Sequence, residues 1–216
     1  QGDNDKPSQG TLLSTRYSGE YIRFGTGENN LYRVVSHENG SGTKITSTNP
    51  LKNNSNYYNI VFGTEAKFKK DNTIGTFLNE TYLAKDYVTS SELSMIESDS
   101  TWYLGYINDG YNYRLTKYQS TDSNVLTTET TVATVGLLRI SELMAGQFSL
   151  YSDNTAYWTI TPYWTYHAYN VHSNSFGAVE KSDASFSVKP AMNLKSNVII
   201  TGGDGTKNNP FTLALG

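Results

Sequence analysis

The sequence predicts an α+β domain of mostly antiparallel short strands with two helices and long loops, and three observations predict it. Short β-branched and aromatic runs, such as Tyr21-Ile-Arg-Phe, Leu31-Tyr-Arg-Val-Val-Ser and Val198-Ile-Ile-Thr, recur between turn signals rich in Asn and Gly. Apolar residues at helical spacing are confined to short stretches, the longest of them after Asn72. A chain of 216 residues buries a sizeable core in one unit, and no repeat of fixed period divides it. Residues 1–11 read as a linker or disordered segment and 12–216 as one domain.

The elements follow in order. Gln1 to Gly10 is polar and punctuated by Pro7, so order begins near Leu12. YIRFG, LYRVVS and TKITST, separated by GTGENN and HENGSG, form a three-stranded meander whose turns use Asn and Gly. Arg23 and Arg33 on those strands read as partly covered structural arginines. Pro50 to Tyr58 is turn-like. Ile74, Phe77, Leu78, Tyr82 and Leu83 then mark the first helix, with Asn72 as N-cap. Ser90 to Ile96 adds a short turn capped by Ser90 or Ser91. Thr101 to Leu115 alternates and breaks at Asp109-Gly110, a hairpin signal, and Tyr118 to Thr131 reads as an exposed loop. ATVGLLRISELMAGQ begins as a strand and becomes a short helix capped by Ser141, with Glu142 in its first turn and Gly146 as its stop.

The last third is the most unusual. Tyr157, Trp158, Tyr163, Trp164, Tyr166 and Tyr169 place six aromatics in thirteen residues, against 13% for the chain, and nothing from 155 to 178 is Asp, Glu, Lys or Arg. In YWTIT, Tyr157, Thr159 and Thr161 share one face while Trp158 and Ile160 share the other. Pro162 ends that ladder. AYNVHS and GAVEKS pair across a turn at Asn174, Ser175 and Phe176, FSVKPAMNL follows, and VIIT closes on FTLAL through a Gly202 to Gly205 turn.

Composition excludes several function classes. A net charge of −3 lacks the basic footprint of a nucleic-acid binder, and no apolar run reaches the roughly 18 residues of a membrane span. Without cysteine there is no disulfide, thiolate metal site or cysteine nucleophile. The Tyr-, Asn-, Thr- and Ser-rich composition fits an exported chain, and a start at Gln1 reads as a trimmed or mature fragment.

Ordered motifs carry a resemblance. Tyr21-Ile-Arg-Phe-Gly, Ile74-Gly-Thr-Phe-Leu-Asn, Trp102-Tyr-Leu-Gly, Val135-Gly-Leu-Leu, Tyr157-Trp-Thr-Ile-Thr-Pro, Val188-Lys-Pro-Ala-Met-Asn-Leu-Lys and Gly202-Gly-Asp-Gly-Thr-Lys-Asn-Asn-Pro follow one another from Tyr21 to the end. The series resembles a domain-of-unknown-function family of secreted or surface-attached proteins of Gram-positive bacteria, with Lys189 where that family usually has Arg. The order of a Trp-Thr-x-Thr-Pro strand, a polar hairpin and the strand with Pro190 is also similar to the end of the C-type-lectin-like fold of formylglycine-generating-enzyme-type domains. The resemblance implies that fold and an extracellular, cell-surface location, with the segment after Pro162 on the ligand-binding face.

Enzymatic readings find little support. Formylglycine-forming members of that fold need a cysteine pair, and their iron-dependent relatives need clustered histidines. This chain has only His37, His167 and His172, so no metal or other cofactor is expected. No G-x-S-x-G elbow is present, Glu80, Asp86, Glu142 and Asp153 form no recognisable carboxylate pair, and Asp204 reads as a turn residue rather than a calcium ligand. Trp158 belongs to the core by alternation. Tyr163, Trp164, Tyr166, His167, Tyr169, Asn170, His172 and Asn174 exceed what one core face accepts. They are the expected ligand-binding residues, because Tyr and Trp give rigid contact area while Asn and His give adaptable hydrogen bonds. The function expected is non-enzymatic, adhesin-like recognition of a glycan or protein on a cell surface or matrix. The alternative is a structural subunit or tip module of a pilus or other appendage.

Overall fold

The computed structural model, which describes residues 7–37, 42–84, 86–105, 129–146, 155–171 and 176–216, carries the N-terminal meander that the alternation predicts. Tyr21–Arg23 (β1), Leu31–Ser36 (β2) and Gly42–Ser47 (β3) pair in antiparallel succession. The stem before them is docked rather than loose: Ile200 donates its N–H to Thr11, and Gly10 donates to Ile200. Arg33 donates Nε to the Gly19 carbonyl and lies 4.7 Å over the Tyr21 ring, as a structural arginine does; Arg23 is exposed. Lys52–Asn53 (β4) and Asn56–Tyr57 (β5) close a two-residue hairpin, with Asn54 and Ser55 at positive φ. Asn59–Val61 (β6) follows.

Asn72 caps the first helix as expected, its Oδ1 accepting the Gly75 N–H at 2.8 Å. The helix is Thr73–Thr76 (α1), and it widens into one π-helical turn over Phe77–Thr81. Asn79 in that turn donates Nδ2 to the carbonyls of Gly75 (2.9 Å) and Val135 (3.0 Å), while Oδ1 accepts from Thr134 (3.0 Å) and Val135 (2.9 Å). One side chain thus ties the turn to a distant strand. Asn79→Leu strands those backbone groups and is expected to cost about 2–4 kcal/mol, read as a lower urea midpoint.

Two caps differ from expectation. Helix α2 (Ser90–Met95) is capped by Thr89, not by Ser90 or Ser91, in a reciprocal box with Glu92. The other oxygen of Glu92 accepts the Gly25 N–H at 2.7 Å, so the box also anchors the β1–β2 connection. Helix α3 (Ile140–Gly146) starts before Ser141, whose Oγ is buried without a hydrogen bond. Glu142 takes the capping role by accepting the Arg139 N–H, and Thr161 Oγ1 accepts that of Ile140. Among the described residues there are three short α-helices where two were expected, besides 3-10 turns at Leu13–Thr15 and Gly27–Asn29.

Between α2 and α3 lie Ser100–Tyr103 (β7), Thr130–Ala133 (β8) and Val135–Gly136 (β9). The Asp109-Gly110 turn falls outside the described residues; β7 pairs with β8. Trp102 donates Nε1 to Ala133, and its ring lies so close to Gly136 that a Cβ there would sit 2.7 Å from it. After α3 come Tyr157–Trp164 (β10), His167–Val171 (β11), Phe176–Lys181 (β12), Ser185–Ser187 (β13), Ala191–Lys195 (β14), Val198–Gly202 (β15) and Thr212–Leu215 (β16).

Two five-stranded sheets organise these pieces, in the orders β1-β2-β3-β14-β9 and β12-β11-β10-β13-β6. Every named pairing is antiparallel except β10 with β13, so the architecture is mainly antiparallel β with few short helices. Ile22, Tyr32, Val34, Ile45, Met192 and Leu194 from the first sheet share one buried apolar cluster with Trp158, Ile160, Ala168 and Val171 from the second. Trp158 is core as expected, in edge contact with Phe62 and Phe186 and donating Nε1 to the Ile60 carbonyl at 2.9 Å. The β15–β16 turn holds Gly203 at φ +81°, and Asp204 Oδ1 accepts both the N–H and the hydroxyl of Thr206, the work of a turn residue.

Pro162 does not end β10. The strand continues to Trp164 with register shifts on either side of Pro162, which faces Ala168. Proline lacks the N–H that a regular ladder needs, so the strand bulges instead of stopping.

Candidate functional site

The bulged end of β10 and the start of β11 make a hairpin whose tip, Trp164 to His167, projects the aromatic excess. Backbone hydrogen bonds fix it from two sides. Ala66 donates its N–H to the Thr165 carbonyl at 2.8 Å, and Ser182 donates to the Tyr166 carbonyl at 2.9 Å. Gly63 in turn donates to the Ser182 carbonyl at 3.2 Å, so the loop after β6, the hairpin tip and the end of β12 form one braced unit.

The eight expected residues separate by depth. Trp164 and Tyr166 are 63% and 57% exposed. Tyr163 is half-buried, its ring edge-on to Tyr169 at 5.6 Å. His167 is half-buried too, its ring parallel to that of Trp164 at 6.0 Å, and its Nδ1 is buried without a hydrogen bond. Tyr169 and Asn170 are fully buried, which corrects their expected place on an outward surface. Ala168, Tyr169, Asn170 and Val171 point alternately to opposite faces of the sheet and all are buried, so both faces of β11 are covered here and only the tip before it stands in solvent. Tyr169 supports Tyr163 from beneath, and the Asn170 amide, with neither polar atom hydrogen-bonded, contacts no solvent. His172 and Asn174 lie outside the described residues.

Two hollows adjoin the tip. One, of about 290 Å³, is lined by Glu65, Lys67, Glu129, Pro162, Trp164 and Thr165. The other, of about 470 Å³, is lined by Thr64, Tyr166, His167, Lys181, Ser182 and Asp183. Consecutive residues part between them: Thr64 from Glu65, and Thr165 from Tyr166. Lys67 Nζ meets Glu129 Oε1 at 3.0 Å across an exposed ion pair. The arrangement offers two exposed rings, Trp164 and Tyr166, with carboxylates, ammonium groups and hydroxyls around the rims, a combination suited to flat apolar faces edged by polar groups.

The chain matches no protein-family model, no curated protein and no solved structure.

Several titratable groups away from the tip have structural partners. Glu142 is buried between Lys44 (3.1 Å) and Arg139 (3.6 Å). Glu80 and Asp86 are exposed, and Asp153 is outside the described residues. His37 bridges the Arg16 carbonyl and Thr43 Oγ1, remote in sequence from the tip. Among the described residues no group of His, Asp and Glu side chains gathers to hold a metal ion, and no helix is long and apolar enough to cross a membrane.

Sequence reasoning missed Glu65, Lys67, Glu129, Lys181, Ser182 and Asp183. They come from three separate segments that read as polar loop or hairpin; backbone bonds to Thr165 and Tyr166 bring in the first and the last, and Glu129 joins through its ion pair with Lys67 and the Leu104 N–H on its carbonyl.

Proposed function

We propose that this protein is a non-enzymatic recognition domain of the bacterial cell surface that grips a glycan with the Trp164–His167 tip. The observation that carries the reading is the exposure of Trp164 and Tyr166 on a tip held by backbone hydrogen bonds. Two large rings exposed together on one tip make the kind of patch that marks interaction sites, and a tip braced by backbone hydrogen bonds loses little entropy when a partner stacks on it. Sugar rings offer the flat C–H faces that suit them, and hydroxyls that suit the polar rims. The motif order from Tyr21 onward adds the Gram-positive surface-protein family and the C-type-lectin-like fold to the proposal, with the protein displayed outside the cell.

A glycan array probed with wild type, Trp164→Ala and Tyr166→Ala tests it. The wild type is expected to bind a restricted set of glycans, and each variant to lose at least about tenfold of that binding, about 1.4 kcal/mol. Binding retained in both variants, or no glycan bound, overturns the reading. Concentration-dependent polymers in light scattering would favour an appendage subunit instead.

A further inference from the structure

The two hollows differ in charge, and the difference bears on ligand chemistry. Beside Tyr166 and His167, Lys181 and Asp183 balance each other, and Ser182 and Thr64 complete the wall. That side suits the neutral hydroxyls of a sugar. Beside Trp164 there are, among the described residues, two carboxylates and one ammonium, and Lys67 is paired with Glu129. Glu65 is exposed, and among the described residues it has neither a hydrogen bond nor an ion pair. Among the described residues the hollow thus presents one uncommitted negative charge next to the exposed indole. Carboxylate and indole both favour a cation: the first by Coulomb attraction, the second through the negative face of its ring quadrupole.

Resting on the glycan reading above, we infer that the Trp164 hollow takes the primary ammonium of an amino sugar, with Glu65 as its counter-ion and the neighbouring hydroxyl-bearing ring on the Tyr166 side. A neutral N-acetyl group at the same position forfeits the Glu65 attraction. A ligand carboxylate is repelled by Glu65 and meets a lysine already paired.

The test is a titration of the intact chain at pH 6, followed by tryptophan fluorescence, with a glucosamine tetramer, an N-acetylglucosamine tetramer and tetralysine. The glucosamine tetramer is expected to bind about five- to tenfold more tightly than the acetylated one in roughly 20 mM salt. The margin should shrink in about 0.5 M salt, because the charges are at the surface. Glu65→Gln is expected to bring the glucosamine tetramer down to the level of the acetylated one. Equal or tighter binding of the acetylated tetramer overturns the ammonium assignment and leaves the glycan reading standing. Tetralysine binding as tightly as the amino sugar overturns the carbohydrate assignment of the hollow. Binding of neither tetramer overturns the inference, and the array then decides whether the glycan reading falls with it.

Discussion

Replacing Glu142 with alanine is expected to lower the unfolding free energy by about 3–5 kcal/mol, a large part of the stability of a domain this size. Glu142 is 3% exposed and holds two cations that are buried with it, Lys44 at 5% and Arg139 at 1%. Their chains lie over Trp102 and Tyr103, so neither reaches water without disturbing the aromatic floor of β7. Removing the carboxylate leaves two buried positive charges facing each other and deprives the Arg139 N–H of its acceptor. Pairing Glu142→Leu with Lys44→Met should recover part of the loss, because one stranded charge is removed with its partner. Burial on its own raises the Glu142 carboxyl, but Lys44, Arg139 and their hydrogen bonds outweigh it and hold the group below its ordinary value of 4.5. A depressed folded value means stability that is complete above about pH 4.5 and is lost as pH falls through the folded value. Acid titration followed by circular dichroism should show that loss in the wild type and not in Glu142→Gln.

Lys189 gives the second large effect, with the opposite end of the pH scale in play. It is 3% exposed, and its Nζ sits 4.8 Å over the Tyr157 ring. Burial first, and then the charge of Arg33, push its ammonium down to about 7. In the unfolded chain a lysine titrates near 10.4, so between about pH 7 and 10.4 the unfolded state carries a proton that the folded state lacks. Stability therefore rises with pH across that window, by at most about 1.4 kcal/mol per unit, and the gain is lost as pH falls through about 7. Lys189→Met should remove the slope, and it should stabilise the fold most below pH 7, where the wild type carries a buried charge. Urea unfolding at pH 6, 7.5 and 9 should show wild type and variant converging by up to about 3 kcal/mol. Above pH 10 both proteins lose stability alike, because burial raises Tyr32 and Tyr82, which hydrogen-bond each other, so that the tyrosines ionise first in the unfolded chain.

The sequence was most informative where structure is local. The β1–β2–β3 meander, the Asn72 cap and the Asp204 turn each depend on residues within a few positions of one another, and turn chemistry names them. Thr89-Ser-Ser-Glu92 also spelled its capping box, but three adjacent hydroxyl residues compete for the role and only the Glu92 reach decides it. The aromatic stretch was recognisable as unusual, yet a period of two does not tell which rings face out once a strand bulges twice. Nor does it tell that both faces of β11 are covered, so that the consecutive Tyr169 and Asn170 are buried while Trp164 and Tyr166 at the tip stay outside. The Glu142 network spans 98 residues to Lys44, and the Trp164 hollow joins Glu65 to Glu129; no spacing rule reaches that far.

On the proposed reading the Trp164–Tyr166 tip serves contact rather than folding. The most direct measurement takes the Trp164→Ala/Tyr166→Ala double variant and compares it with wild type in both urea unfolding and calorimetric titration of the best array glycan. Unfolding free energies within about 0.5 kcal/mol of each other, and no measurable heat of binding for the variant, are expected. A variant that unfolds several kcal/mol more easily, or that still binds the glycan, would contradict it.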